Sequence, residues 1–184
     1  MSLTETPICN FGEKAQSFNL LSTNNERLTL NNIKGKNGTL IMFICNHCPY
    51  VKAIIKYISE EVIFFEPLGI KSVAIMSNDI KNYPEDSFEN MIKFSKLYNF
   101  SFPYLIDSTQ EIAKKYKAVC TPDFFAYNKN LELQYRGRFR ELKNLKPVIN
   151  GDSDLRKAMK LISSVDKGPL KQIPSMGCNI KWFN

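Results

Sequence analysis

Thr39-Leu40-Ile41-Met42-Phe43-Ile44-Cys45-Asn46-His47-Cys48-Pro49 is the stretch on which the reading of this chain turns. Its first six residues form a continuous apolar run, the pattern of a strand buried on both faces of a sheet. From Pro49 the period changes. Val51, Ile54, Ile55, Ile58, Val62 and Phe65 recur at helical spacing and lay one apolar stripe along a helix that Pro67-Leu68-Gly69 stops. The Cys-x-x-Cys pair therefore falls on a strand-to-helix junction. A sulfur placed there faces unsatisfied N–H groups and the positive end of the helix dipole, and both favour thiolate over thiol. Cys45 is read as the nucleophile. Cys48, one turn on, is in reach to close a disulfide with it or to attack a mixed disulfide. His47, the only histidine, sits between them. When protonated it would stabilise the Cys45 thiolate and favour the reduced pair, a tuning role.

Working outward, strand-like and helix-like segments alternate, which indicates α/β architecture. Residues 18–21 and 27–30, separated by Asn24-Asn25, read as an N-terminal hairpin, and 31–38 as loop. Residues 70–76 read as a second buried strand. Glu85-Asp86-Ser87 reads as the opening of a helix through Met91, Phe94 and Tyr98, with its acids in the first turn. A short strand over 102–106 and a helix over 109–117 follow. Residues 123–127 and 131–137, joined by Asn128-Lys129-Asn130, read as an antiparallel pair. The last helix is expected over 154–163, and 167–184 as an irregular tail containing Cys178.

With 184 residues and 43% hydrophobic content, one domain over 1–184 is expected. The formal net charge of +7 is spread over many segments without a basic run, so a nucleic-acid partner is not expected. The longest apolar runs are too short to cross a bilayer, and the N-terminus shows no positive region followed by an apolar one. A cytoplasmic protein without a membrane partner is the expectation. Five cysteines, only two of them close in sequence, do not look like a disulfide framework.

Two other readings of the motif stand beside redox chemistry. Cys45, His47 and Cys48 offer three zinc donors, but a structural site needs a fourth and no second ligand motif supplies one, so no metal is expected. Inert cysteines are the second, and a helix-capping pair is poorly placed as filler. Thr121-Pro122 opens a strand after a loop. Such a proline is either cis, or trans at the start of an edge strand. Cys120 reads as a small buried hydrophobe or a third redox thiol, and Lys52 as a solvated lysine. Cys178 either folds back to the pair as an extra thiol or packs against the body.

The strand, the Cys-x-x-Cys at a helix start and the Thr-Pro before an antiparallel pair resemble the thioredoxin-like superfamily. The resemblance is closer to a bacterial group filed with the alkyl hydroperoxide reductase and thiol-specific antioxidant (AhpC/TSA) proteins. It is carried by residues 43–53, by Asn78-Asp79 with residues 83–87, by 102–107, by 120–125, by Tyr135-Arg136-Gly137 and by the ending Pro174-Ser175-Met176-Gly177-Cys178-Asn179-Ile180-Lys181-Trp182. It implies a thioredoxin-like fold with a central mixed sheet flanked by helices, Cys45 as exposed nucleophile, Cys48 as buried resolver, and a cis Pro122 facing them. It also implies that Thr121 offers its backbone to a bound peptide. Where thioredoxins carry Gly-Pro between the cysteines, a preceding Trp and an acid on the strand, this chain has Asn46-His47, Ile44 and Thr39.

The expected function is thiol–disulfide oxidoreduction without a cofactor, on a disulfide-bearing protein or small-thiol substrate, with a reductase or thiol as electron donor. A thiol peroxidase and a non-enzymatic redox sensor or metal-binding module are the alternatives. The peroxidase pattern Pro-x-x-x-Thr/Ser-x-x-Cys is met by neither cysteine: Gly38 and Met42 precede Cys45 at those positions, Ile41 and Cys45 precede Cys48.

Overall fold

The computed structural model describes residues 3–183. In chain order its elements are β1 (Leu3–Glu5), β2 (Asn19–Ser22), β3 (Arg27–Thr29), β4 (Gly38–Phe43), α1 (Pro49–Phe65), β5 (Ile70–Met76), α2 (Phe88–Leu97), β6 (Tyr104–Ile106), α3 (Glu111–Lys115), β7 (Cys120–Thr121), β8 (Asp123–Asn128), β9 (Leu133–Tyr135), the small pair β10 (Leu142–Lys143) and β11 (Lys146–Pro147), α4 (Asp154–Val165) and β12 (Met176–Asn179). Seven strands make a mixed sheet in the order β3-β2-β6-β5-β4-β8-β9. Strand β4 lies at its centre, parallel to β5 with Ile41 beside Val73, and antiparallel to β8 with Ile41 beside Phe125.

Alternation along β4 splits the core in two. Leu40 and Met42 face α1 and α4, whereas Ile41 and Phe43 face Ile112 and Tyr116 at α3. Both sides are covered, which is why this strand reads as unbroken apolar sequence. The apolar stripe of α1, from Val51 to Phe65, is buried as its period demands. Among the described residues no helix is long and apolar enough to cross a membrane.

The expected N-terminal hairpin forms as β2–β3, and through the pairing of β2 with β6 it extends the main sheet. Two other expectations are corrected. The 85–87 segment does not open a helix with its acids: Pro84–Asp86 is a short 3-10 turn, and Ser87 takes the N-cap, its Oγ accepting from the Asn90 N–H at 3.4 Å. That turns Asp86 inward. The tail is not wholly irregular, since β12 is the middle strand of a second sheet in the order β1-β12-β7.

Helix α4 is tied to α1 through its cap. Ser153 Oγ accepts from the Arg156 N–H at 2.9 Å and donates to buried Glu61 Oε1 at 2.9 Å, while Arg156 Nε reaches Glu61 Oε2 at 2.6 Å. Ser153→Ala is expected to cost about 1–2 kcal/mol, because it removes a cap and a carboxylate partner together. The check is a lower urea midpoint at unchanged slope; an unmoved midpoint contradicts it.

Candidate active site

The loop between β4 and α1 is held from below by one carboxylate. Asp86 is 0% exposed, and its Oδ1 accepts from the Asn46 N–H at 2.8 Å and the His47 N–H at 3.3 Å. Its Oδ2 lies 2.7 Å from His47 Nδ1 and accepts from Asn78 Nδ2 at 2.8 Å. The Asn46 side chain accepts from the buried Tyr104 hydroxyl at 2.9 Å and donates to the Glu85 carbonyl at 3.0 Å. So Asn46-His47, standing where thioredoxins carry Gly-Pro, bolts the loop to the 78–86 segment and to β6. The His47 ring stacks on Tyr83 with centroids 5.5 Å apart, and its Nε2 is buried without a hydrogen-bond partner among the described residues.

Above the loop sits the Thr121-Pro122 peptide, which is cis. Thr121 touches both cysteines: its Oγ1 is 3.3 Å from Cys45 Sγ, and its carbonyl accepts from Cys48 Sγ at 3.1 Å. Asp123, next in sequence, is buried and gripped by Arg136, whose Nε and terminal nitrogen donate to its two oxygens at 3.3 and 2.9 Å. A third thiol completes the group, with Cys178 Sγ 3.1 Å from Cys48 Sγ. Four of the five predicted site residues, Cys45, Cys48, Thr121 and Pro122, thus share one spot, with His47 beside Cys45. Its donor atom, the Cys45 sulfur and an Asp86 oxygen lie within 4.8 Å of one another.

The electrostatics depart from expectation. Helix α1 begins at Pro49 with Cys48 as its N-cap, so the helix-end groups act on Cys48 rather than Cys45. Contact with the Cys45 thiol lowers Cys48 to about 5 against the opposing effect of burial, and the Cys178 thiol and the Val51 and Cys178 backbone groups add to it. Burial pushes Cys45 well above the usual thiol value, and the contact with Cys48 and the charge on Asp86 push the same way. The two sulfurs titrate as a pair, with one proton lost readily and the other retained. Cys45 is also not exposed: it is 1% accessible. His47 acts on Asp86 rather than directly on Cys45. The hydrogen bond to Asp86 raises its pKa above the ordinary value, and in turn it helps hold Asp86 below the usual carboxylate range despite burial.

The backbone expected to receive a peptide is engaged already. Strand β12 pairs with β7 antiparallel, Cys178 beside Thr121 and Asn179 beside Cys120. The expectation that Thr121 offers a free edge is therefore corrected: the chain's own C-terminal strand lies along it. Cys120 is buried and its pKa is driven far up by desolvation, the behaviour of an inert small hydrophobe. Lys52 is exposed. As for metal, the donors that come together are Cys45, His47 and Asp86, without the Cys48 of the sequence-based trio. Both Asp86 oxygens are occupied by four donors, which fits a hydrogen-bond hub and not a ligand set.

Comparison with known proteins follows the same lines. An uncharacterized conserved protein from Geobacillus kaustophilus is 38% identical over 100% of this chain and 97% of its own, with a TM-score of 0.92. The thioredoxin domain of a thiol-disulfide oxidoreductase from Bacteroides vulgatus, 15% identical over 73% of this chain and 89% of its own, shares the fold at a TM-score of 0.59. Thiol-disulfide oxidoreductase ResA of Bacillus subtilis (strain 168) is 26% identical over 117 residues, 64% of this chain, and the chain spans about three fifths of that curated relative, 61% of its length. The AhpC/TSA family model matches residues 11–139, well over half of the sequence, and with its mixed sheet, junctional cysteine pair and cis proline the chain belongs to the AhpC/TSA family and has a thioredoxin-like fold.

Proposed function

We propose that the chain is a thiol–disulfide oxidoreductase whose Cys45/Cys48 dithiol exchanges with a disulfide-bearing protein or a small disulfide. The observation that carries this is the meeting of both sulfurs at Thr121 beside cis Pro122, with one readily lost proton between them. Cys48 has its partners inside the molecule, the Thr121 carbonyl and Cys178, so it is suited to resolving. Cys45, in the loop ahead of the helix, is assigned the bond to the partner, and at 1% exposed it must be uncovered as the partner docks. Transfer of its proton to Cys48 leaves the charge on the attacking sulfur. The Cys45 thiolate forms a bond to one sulfur of the partner disulfide and expels the other as thiolate. Cys48 then attacks Cys45, releases the second partner thiol and closes Cys45–Cys48. A thiol reductant or a reductase returns the pair to the dithiol.

Protonated His47 cancels the charge on Asp86 that otherwise raises Cys45, so it favours the Cys45 thiolate through the carboxylate. The name of the ResA relative points to the same chemistry. The test is reduction of insulin disulfides by dithiothreitol with and without the protein. The wild type is expected to accelerate it, and Cys48→Ser to stall with a mixed disulfide accumulating on Cys45. An unaccelerated reaction, or an adduct on another cysteine, contradicts the proposal. Hydrogen peroxide supplied instead is expected to be consumed slowly, since no proline and hydroxyl at the peroxidase spacing precede either cysteine; consumption as fast as insulin reduction would favour the peroxidase reading.

A further inference from the structure

We propose that Cys178 is a third redox thiol, which takes the disulfide over from Cys45 by exchange at Cys48. The sulfurs of Cys48 and Cys178 are 3.1 Å apart, about 1 Å beyond the length of a disulfide bond. This contact is built by the fold. Strand β12 is paired on both sides, Cys178 lying beside Leu3 of β1 and Thr121 of β7. Ahead of it, Ser175 Oγ donates to the Pro122 carbonyl at 2.8 Å, and the Ser175 N–H donates to Thr6 Oγ1 at 2.9 Å. Behind it, the Lys181 N–H donates to Asn78 Oδ1 at 2.9 Å, and its carbonyl accepts from Gln110 Nε2 at 2.7 Å. Between these anchors Gly177 passes so close to the cis peptide that an added Cβ would lie 2.1 Å from the Thr121 oxygen. Cys178 is thereby aimed at Cys48, the sulfur to which the proposed cycle gives the resolving role.

The step is an exchange without net electron transfer. Starting from Cys45–Cys48, Cys178 sulfur bonds to Cys48 sulfur, the Cys45–Cys48 bond breaks, and the proton given up by Cys178 ends on Cys45. The products are a Cys48–Cys178 disulfide and a Cys45 thiol. In the dithiol state burial, and next the interaction with Cys48, holds the Cys178 thiol at about 12. Once Cys48 enters a disulfide its charge is gone, and with it part of that hindrance. Three thiols then share one disulfide in two pairings, and Cys45 is returned as a thiol while the chain remains oxidised. The transfer rests on the Cys45/Cys48 reading above for the disulfide it inherits.

The experiment separates the two. The reduced protein is oxidised with substoichiometric diamide, quenched in acid at intervals, blocked with iodoacetamide and mapped by peptide mass. In the wild type Cys45–Cys48 is expected first, with Cys48–Cys178 growing at its expense after the oxidant is spent. Cys45→Ser is expected to close Cys48–Cys178 directly, and Cys178→Ser to stop at Cys45–Cys48. A wild type that holds Cys45–Cys48 unchanged, with no Cys48–Cys178 in either the wild type or Cys45→Ser, overturns the inference and leaves the exchange reading intact. A wild type that never forms Cys45–Cys48 overturns both.

Discussion

Asp86→Ala is expected to destabilise the protein by about 3–5 kcal/mol, the range seen when one partner of a buried ion pair is removed. The carboxylate is 0% exposed and serves four donors, two of them backbone N–H groups of the loop that carries the cysteines. Alanine leaves all four without this acceptor; Asn46 and Asn78 are buried and lose it outright, while the partly buried His47 keeps some access to solvent. The loss is read as a lower urea midpoint, and a variant within about 1 kcal/mol of wild type would show that the loop is held by other means.

Its pH dependence has a definite sign. His47 has its pKa raised above 6.5 by Asp86, so its share is complete below 6.5 and lost as pH rises through the folded value. Asp86 is lowered below 3.8, so its share is complete above 3.8 and lost as pH falls through the depressed value. The stability gap between wild type and Asp86→Ala should therefore be widest between those limits and narrow toward alkaline pH. The milder Asp86→Asn leaves burial and the Cys48 contact, the larger causes of the raised Cys45 pKa, in place but removes the charge that adds to them. Its Cys45 alkylation by iodoacetamide is expected to begin at lower pH than in wild type. A shift to higher pH would mean that His47, not Asp86, governs that sulfur.

What could be read from the sequence was local. The junction at Cys45–Pro49 was legible because burial on both faces of β4 and the helical period of α1 leave their marks in neighbouring residues. The cis state of Pro122 was legible only through resemblance, since the dipeptide alone admits both isomers. Asp86 was visible but misassigned. Pro84-Glu85-Asp86-Ser87 offers acids and a serine at a helix start, and only the packed structure shows that Ser87 caps while Asp86 turns in. Its partners Asn46 and Asn78, and Tyr104 beyond them, come from three separate segments, and no spacing rule links them. Strand β12 was the hardest. Four residues with a glycine among them show no period, and a glycine in such a stretch reads as a breaker. The strand exists because two partners distant in sequence pair with it, and Cys178 meets Cys48 across 130 residues.

That glycine carries the second large effect. Gly177→Ala would place a methyl group 2.1 Å from the Thr121 oxygen and 2.7 Å from its carbonyl carbon. Both are backbone atoms of the cis-proline segment, so no flexible side chain can yield, and either β12 or the Thr121-Pro122 turn must move. Overpacking of this kind costs about 1–3 kcal/mol, and a main-chain clash belongs at the upper end. The displaced strand is expected to draw Cys178 away from Cys48, cutting the yield of the Cys48–Cys178 disulfide, while alkylation of Cys45 and Cys48 speeds up as the cover over Thr121 loosens. A change confined to stability, with disulfide yield and alkylation rates as in wild type, would show that the turn yielded and the strand stayed in place. The two readouts together therefore locate which side of the contact is the softer, and so whether the C-terminal strand is a fixed wall of the site or its movable edge.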